Sequence, residues 1–97
     1  MSAHYSYKAA RRVLAAFVEA GSHRLTTDGI GRRTGSRAVA TEVSSLRDYA
    51  RSLMDCGRLE PGAPHVRCRY DGVTSSGRKV YLYTISEALF DFGDRNS

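Results

Sequence analysis

The apolar positions of this chain change period once. Up to about residue 60 they recur every three or four residues, and after residue 64 they alternate. In "YKAARRVLAAFVEA" (7–20), Ala10, Val13, Leu14, Phe17 and Val18 form one face of a helix, with Lys8, Arg11, Arg12 and Glu19 elsewhere. Ser6 can cap its start and Gly21 can stop it. Further on, Val39, Val43, Leu46, Ala50 and Leu53 recur at spacings of 4, 3, 4 and 3, with Met54 beside the stripe. This predicts a longer helix that begins either near Arg37 or with Thr41 as its cap. Gly57 closes it, and Leu59 packs back beneath. Between the two, Thr26 or Thr27 can cap a short helix from Asp28 to Thr34, ended by Gly35. Gly29 and Gly31 each cost it about 1 kcal/mol of helix propensity. Ile30 is its sole large apolar residue, so tertiary packing must hold it, with Leu25 pinning the entry.

The second half reads as a hairpin. In "HVRCRYD" (65–71), Val66, Cys68 and Tyr70 alternate with His65, Arg67 and Arg69. "GVTSSGRK" (72–79) is a polar, glycine-bounded turn, and "VYLYTI" (80–85) is a β-branched and aromatic strand. The end, "SEALFDFGDRNS" (86–97), predicts a short capped helical turn that packs Leu89, Phe90 or Phe92, then a frayed tail. The expectation is an α+β chain forming one domain over residues 1–97, with its core in 7–86.

Composition narrows the class. Ninety-seven residues, 41% hydrophobic and 26% charged, fit one soluble domain with a modest core. No apolar run approaches the ~20 residues of a membrane span, and "MSAHYSYKAARR" lacks the apolar centre of an export signal. A cytoplasmic address and no membrane partner are therefore expected. Cys56 and Cys68 form no Cys-x-x-Cys pair and have no histidines at finger spacing, so no metal or other cofactor is expected and both thiols should be buried. His4, His23 and His65 lie near the ends or in loops without a carboxylate at useful spacing, and no phosphate-cradling Gly-x-x-x-x-Gly-Lys-Ser/Thr loop exists. An enzyme is not expected.

Charge points to a partner. The net charge is +5, but residues 1–86 hold 14 Lys/Arg against 7 Asp/Glu, while the tail from Glu87 onward is acidic. Such a body attracts an anionic partner. Thirteen of the 15 basic residues are arginine, suited to bidentate phosphate and guanine contacts, although GC-rich coding produces the same bias.

The order of elements resembles the winged helix-turn-helix family of small bacterial and phage regulators. "LTTDGIGRRTG" (25–35) is similar to the short second helix and its turn, "LMDCGRLE" (53–60) to the end of the recognition helix, and "SGRKVYLYTI" (76–85) to the second wing strand. The likeness covers residues 7–86. It implies three helices followed by a two-stranded wing, and sequence-specific binding of double-stranded DNA in transcription regulation. The 22 residues from Gly35 to Gly57 exceed the usual length, implying either an elongated turn or an extra helical turn.

On a helix at 100° per residue, the face opposite the apolar stripe carries Thr41, Ser44, Ser45, Asp48 and Ser52, with Arg47 and Arg51 flanking and Arg37 near the start. The resemblance assigns Arg37, Thr41, Ser44, Ser45, Arg47 and Arg51 to the DNA groove, and Arg32, Arg33, Arg78 and Lys79 to phosphates. Asp48 on that face instead favours surface ion pairs with Arg51, or a winged-helix adaptor or inhibitor that binds a protein. Tyr81 and Tyr83 share a strand face, fitting either a stacking platform for single strands or core or dimer packing. Tyr5 and Tyr7 with the terminal "ALFDF" offer a homodimer contact.

Overall fold

A computed structural model describes residues 6–62 and 64–96. The elements run α1 (Tyr7–Ala20), β1 (Arg24–Thr26), α2 (Thr27–Thr34), α3 (Val39–Asp55), β2 (Val66–Val73), β3 (Lys79–Ile85) and α4 (Glu87–Arg95). The chain is thus α+β, with four helices and a three-stranded antiparallel sheet among the described residues.

The helix ends follow local chemistry. The Ser6 hydroxyl accepts from the Ala9 N–H, and Gly21 closes α1 in the left-handed region at φ 62°. Thr26 caps α2 by accepting from the Gly29 N–H, which moves the start of that helix to Thr27. Helix α3 begins at Val39, between the two expected starts, and Ala38 gives it no side-chain cap. The turn from α2 therefore takes only residues 35–38, and the extra length lies in the 17-residue helix. At its far end Leu59 donates back to the Leu53 carbonyl and is buried. The costly glycines of α2 also have a role. A Cβ on Gly31 would sit 3.3 Å from the Ser36 carbonyl oxygen and 3.5 Å from Val39 Cγ2, where α2 and α3 approach.

Strand β1 is the main element that the sequence pattern does not reveal. The order is β1-β3-β2, with Arg24 opposite Thr84, Leu25 opposite Tyr83 and Thr26 opposite Leu82. Three residues are too few for an alternation to be read. The hairpin pairs Val66 with Ile85, Cys68 with Tyr83 and Tyr70 with Tyr81, and a bulge falls between Tyr70 and Val73.

The core joins both halves. Phe17, Ile30, Leu46, Ile85, Leu89, Val13 and Val43 are its largest fully buried side chains. It extends past residue 86 because the expected terminal turn is a nine-residue helix, capped by Ser86 and packed on α1. Leu89 and Phe92 are buried, and Phe90 lies against the core and the His23 ring. His65 is buried where the hairpin meets α4, with Nδ1 2.6 Å from Ser86 Oγ and Nε2 2.8 Å from the Glu60 carbonyl oxygen.

One expectation about side chains is overturned. Both cysteines are exposed, not buried. Cys56 follows the last turn of α3, and Cys68 lies on an edge strand that leaves the core after Val66. Tyr7 meets Tyr49 of its own chain edge-on at 5.3 Å, although it remains 53% exposed. His4 and Tyr5 lie outside the described residues. Among the described residues no helix is long and apolar enough to cross a membrane.

Gly93 marks the closest approach of α4 to α1. A Cβ there would stand 2.7 Å from Leu14 Cγ. Overpacking of this kind costs about 1–3 kcal/mol, against ~1 kcal/mol that alanine gains in a helix. With three Leu14 atoms within 3.0 Å the cost falls at the upper end of that range, so Gly93→Ala is expected to lower the unfolding free energy by about 2 kcal/mol in urea at unchanged m value. An equal or higher midpoint would show that the contact is not tight.

Candidate functional site

The concavity that gathers five of the ten expected residues is a groove between the α2–α3 turn and the hairpin. Its volume is about 850 Å³, and Arg32, Arg37, Thr41, Arg78, Lys79 and Tyr81 are among its lining residues. Three chain segments supply it. Arg32 comes from the last turn of α2, Arg37 and Thr41 flank the start of α3, and Arg78 and Lys79 open β3.

Local bonds fix these segments to one another. The Thr27 hydroxyl donates to the Tyr81 carbonyl at 3.3 Å and accepts from the Tyr81 N–H at 3.1 Å, clamping the start of α2 to the middle of β3. Ser36 accepts from the Ala38 N–H at 2.9 Å and shapes the turn. Because Ala38 brings no side-chain acceptor, first-turn N–H groups of α3 are left for another acceptor beside Arg37. At the inner wall Tyr83 is buried, and burial first, then the neighbouring Cys68 thiol, raises its phenol above the ordinary range. It is therefore neutral at pH 7. Tyr81 is half-buried and meets the exposed Tyr70 ring edge-on at 5.9 Å, so these rings are engaged with each other and with the core.

One carboxylate enters the groove. Asp28 pairs with Arg78 at 3.1 Å, with 45% and 71% of their side chains exposed. An exposed pair of this kind is worth about 0–1 kcal/mol and yields readily to a stronger anion. Nothing in the local sequence links these residues, which lie 50 positions apart.

The remaining expected residues divide. Ser44, Arg47 and Arg51 are exposed on α3 but do not line the groove. Arg33 lines a separate depression with Arg24 and Arg32. Ser45 is a correction. It is buried, and its hydroxyl accepts from the Ser6 N–H at 3.3 Å, so it cannot face a ligand. The reason is Tyr49, one turn on, which packs between Tyr7 and Phe92 and draws that side of α3 inward. Adding Ser45 and Tyr49 to the buried arc turns its centre by about 30° at 100° per residue. The outward centre moves from Asp48 towards Ser44 and Arg51.

Among the described residues no group of three or more His, Cys, Asp or Glu could hold a metal ion. Comparison with protein-family models, curated proteins and solved structures finds no match for this chain.

The Thr27 clamp is open to a direct test. Thr27→Val keeps the shape but removes both bonds to Tyr81, leaving its backbone groups short of partners in a half-buried setting. A loss of about 1–3 kcal/mol is expected in denaturant titration, with faster amide exchange at Tyr81. Unchanged exchange there would show that the clamp does not hold the hairpin.

Proposed function

We propose that this chain is a winged helix-turn-helix protein that binds double-stranded DNA sequence-specifically, as a small transcriptional regulator of bacterial or phage type. The observation that carries the reading is the convergence of Arg32, Arg37, Thr41, Arg78 and Lys79, from three segments, on one open groove. Helix α3 is the element for the major groove, with Arg37 and Thr41 leading and Ser44 and Arg51 following along its exposed side. Bidentate arginine contacts to guanine and hydroxyl contacts to base edges would specify sequence there. The hairpin acts as the wing, and its basic tip residues Arg78 and Lys79 hold phosphates, as do Arg32 and Arg33 of α2. The free N–H groups at the start of α3 add donors for a phosphate oxygen.

A second reading has its own observation. The outward side of α3 also carries the half-buried Asp48 and the exposed Asp55 beside Arg47 and Arg51, a mixed surface that suits a protein partner better than a polyanion. The two readings separate experimentally. Loss of a captured protein on changing Arg47 and Arg51 to alanine, with duplex binding untouched, would favour the adaptor.

The four cationic phosphate contacts give a slope of log affinity on log salt of about −3.6. Anisotropy titration of labelled duplexes across a salt series measures it. Lys79→Ala should flatten the slope by about 1 for every sequence, whereas Arg37→Ala should cost about 1–3 kcal/mol and narrow the gap between preferred and random duplexes. A salt-independent affinity would sink the DNA reading.

Asp28→Asn removes the one carboxylate in the groove and releases Arg78. Duplex affinity at low salt is expected to rise about 3–10-fold, with stability changed by under ~1 kcal/mol. Weaker binding would mean that Asp28 is needed to aim Arg78.

A further inference from the structure

The sheet has a second basic face. Side chains alternate along each strand, so Lys79, Tyr81 and Tyr83 of β3 look towards the groove and core, while Leu82 and Thr84 look the other way. On that outer side Arg24 and Arg67 flank Thr84, and Arg69 stands beside Leu82. Arg24, Arg67 and Arg69 line one depression of about 470 Å³ with Leu82 and Thr84. Arg24, Arg32 and Arg33 line an adjoining one of about 410 Å³, which shares Leu82.

No carboxylate lines either depression. Among the described residues none of the five arginines takes part in an ion pair; the pairs there are Arg12–Glu42 and Arg78–Asp28. Arg32 and Arg33 are already committed to the groove duplex, so the groups left for this face are Arg24, Arg67 and Arg69, which repel one another without a counter-charge until a polyanion relieves that repulsion.

We infer that this outer sheet face binds the phosphate backbone of a second DNA duplex, so that one molecule bridges two duplex segments. The inference rests on the DNA-binding reading of the groove. Spacing fits phosphate contact. Adjacent strands lie about 4.8 Å apart, which puts Arg24 and Arg67 about 10 Å apart across β3, and Arg67 and Arg69 are about 7 Å apart along β2. A duplex carries one charge per ~1.7 Å of axis, so each arginine finds a phosphate. The groove and the depression of Arg24, Arg67 and Arg69 lie on opposite faces of the hairpin, while Arg32 borders the groove and the adjoining depression alike. Duplex DNA, with a persistence length of about 150 bp, stays straight over the 43 Å length of this molecule, so a single segment seated in the groove does not wrap onto the outer face. An unpaired strand fits less well. Leu82 and Thr84 carry no ring, and the tyrosines of the hairpin point to the other side, which leaves bases nothing to stack on.

The test uses the whole chain with two short duplexes carrying donor and acceptor fluorophores. Energy transfer between them reports bridging, and anisotropy of one duplex alone reports groove binding. Wild type should bridge. Arg67→Glu with Arg69→Glu should reduce bridging at least about tenfold while single-duplex affinity falls no more than about threefold. The milder Arg67→Gln with Arg69→Gln should act in the same direction, and circular dichroism checks that both variants are folded. The proposal is overturned if wild type binds one duplex without bridging. It is also overturned if the double variants bridge as well as wild type, because two grooves in a dimer would then suffice. Equal loss of both signals overturns it too, since the two faces would be one site, as does a single-stranded oligonucleotide that displaces the second duplex more strongly than unlabelled duplex does. If wild type binds no duplex at all, the groove reading fails and this inference fails with it.

Discussion

Backbone pairing between Arg24–Thr26 and Leu82–Thr84 joins the helical half of the molecule to the hairpin. A two-stranded hairpin alone is marginal in water. Here the third strand completes a sheet, the Ile85 N–H donates to the His23 carbonyl just beyond the pairing, and the Thr27 hydroxyl extends the link by bonding both backbone groups of Tyr81. The ladder thereby fixes the distance between the α2–α3 turn and the start of β3. That distance is the width of the basic groove. The same three residues bring Arg24 beside Arg67 across Thr84, so both charged faces depend on one short strand.

The position of α3 is a second consequence of packing. Its aliphatic stripe alone would leave Asp48 at the outward centre. Tyr49 brings a large ring into the space between α1 and α4, and Ser45 follows to meet the Ser6 N–H. The resulting turn of the helix is small: it brings Ser44 and Asp55 to the most accessible line of the surface, with Asp48 and Arg51 to either side. Phe92, which closes this pocket, also carries the Arg58 guanidinium at 5.0 Å over its ring. The terminal helix, packed on α1, thus meets α3 through the Phe92–Tyr49 ring contact.

Charge is sorted by the fold rather than by sequence neighbourhood. Arg12 meets Glu42 across two helices, and Arg78 meets Asp28 across the hairpin and α2. The arginines left over fall on both sides of the sheet, with Arg32 bordering the groove and one outer depression alike. A net charge of +5 would be unremarkable if it were spread evenly. Concentrated around the groove and the outer depressions, whose linings hold one carboxylate in all, it becomes a local field of one sign.

Periodicity and end signals were enough to find α1, α2, α3 and the hairpin, because each depends on local rules: Ser6 and Thr26 as caps, Gly21 and Gly35 as stops, and an alternation that begins at Val66. The sequence also marked Arg37, Thr41, Arg78 and Lys79 as basic or hydroxyl residues near element ends, where exposure is the rule. What it could not decide were matters of distance. Three residues cannot display an alternation, so β1 exists only because β3 is there to pair with it. Ser45 reads as polar and outward until Tyr49 finds its neighbours, and Cys68 reads as buried until β2 runs past the core. Local chemistry determined which segments fold and where they stop. Which arginines share a face was decided by tertiary contacts between residues up to 50 or more positions apart, a separation over which a sequence pattern carries no geometry.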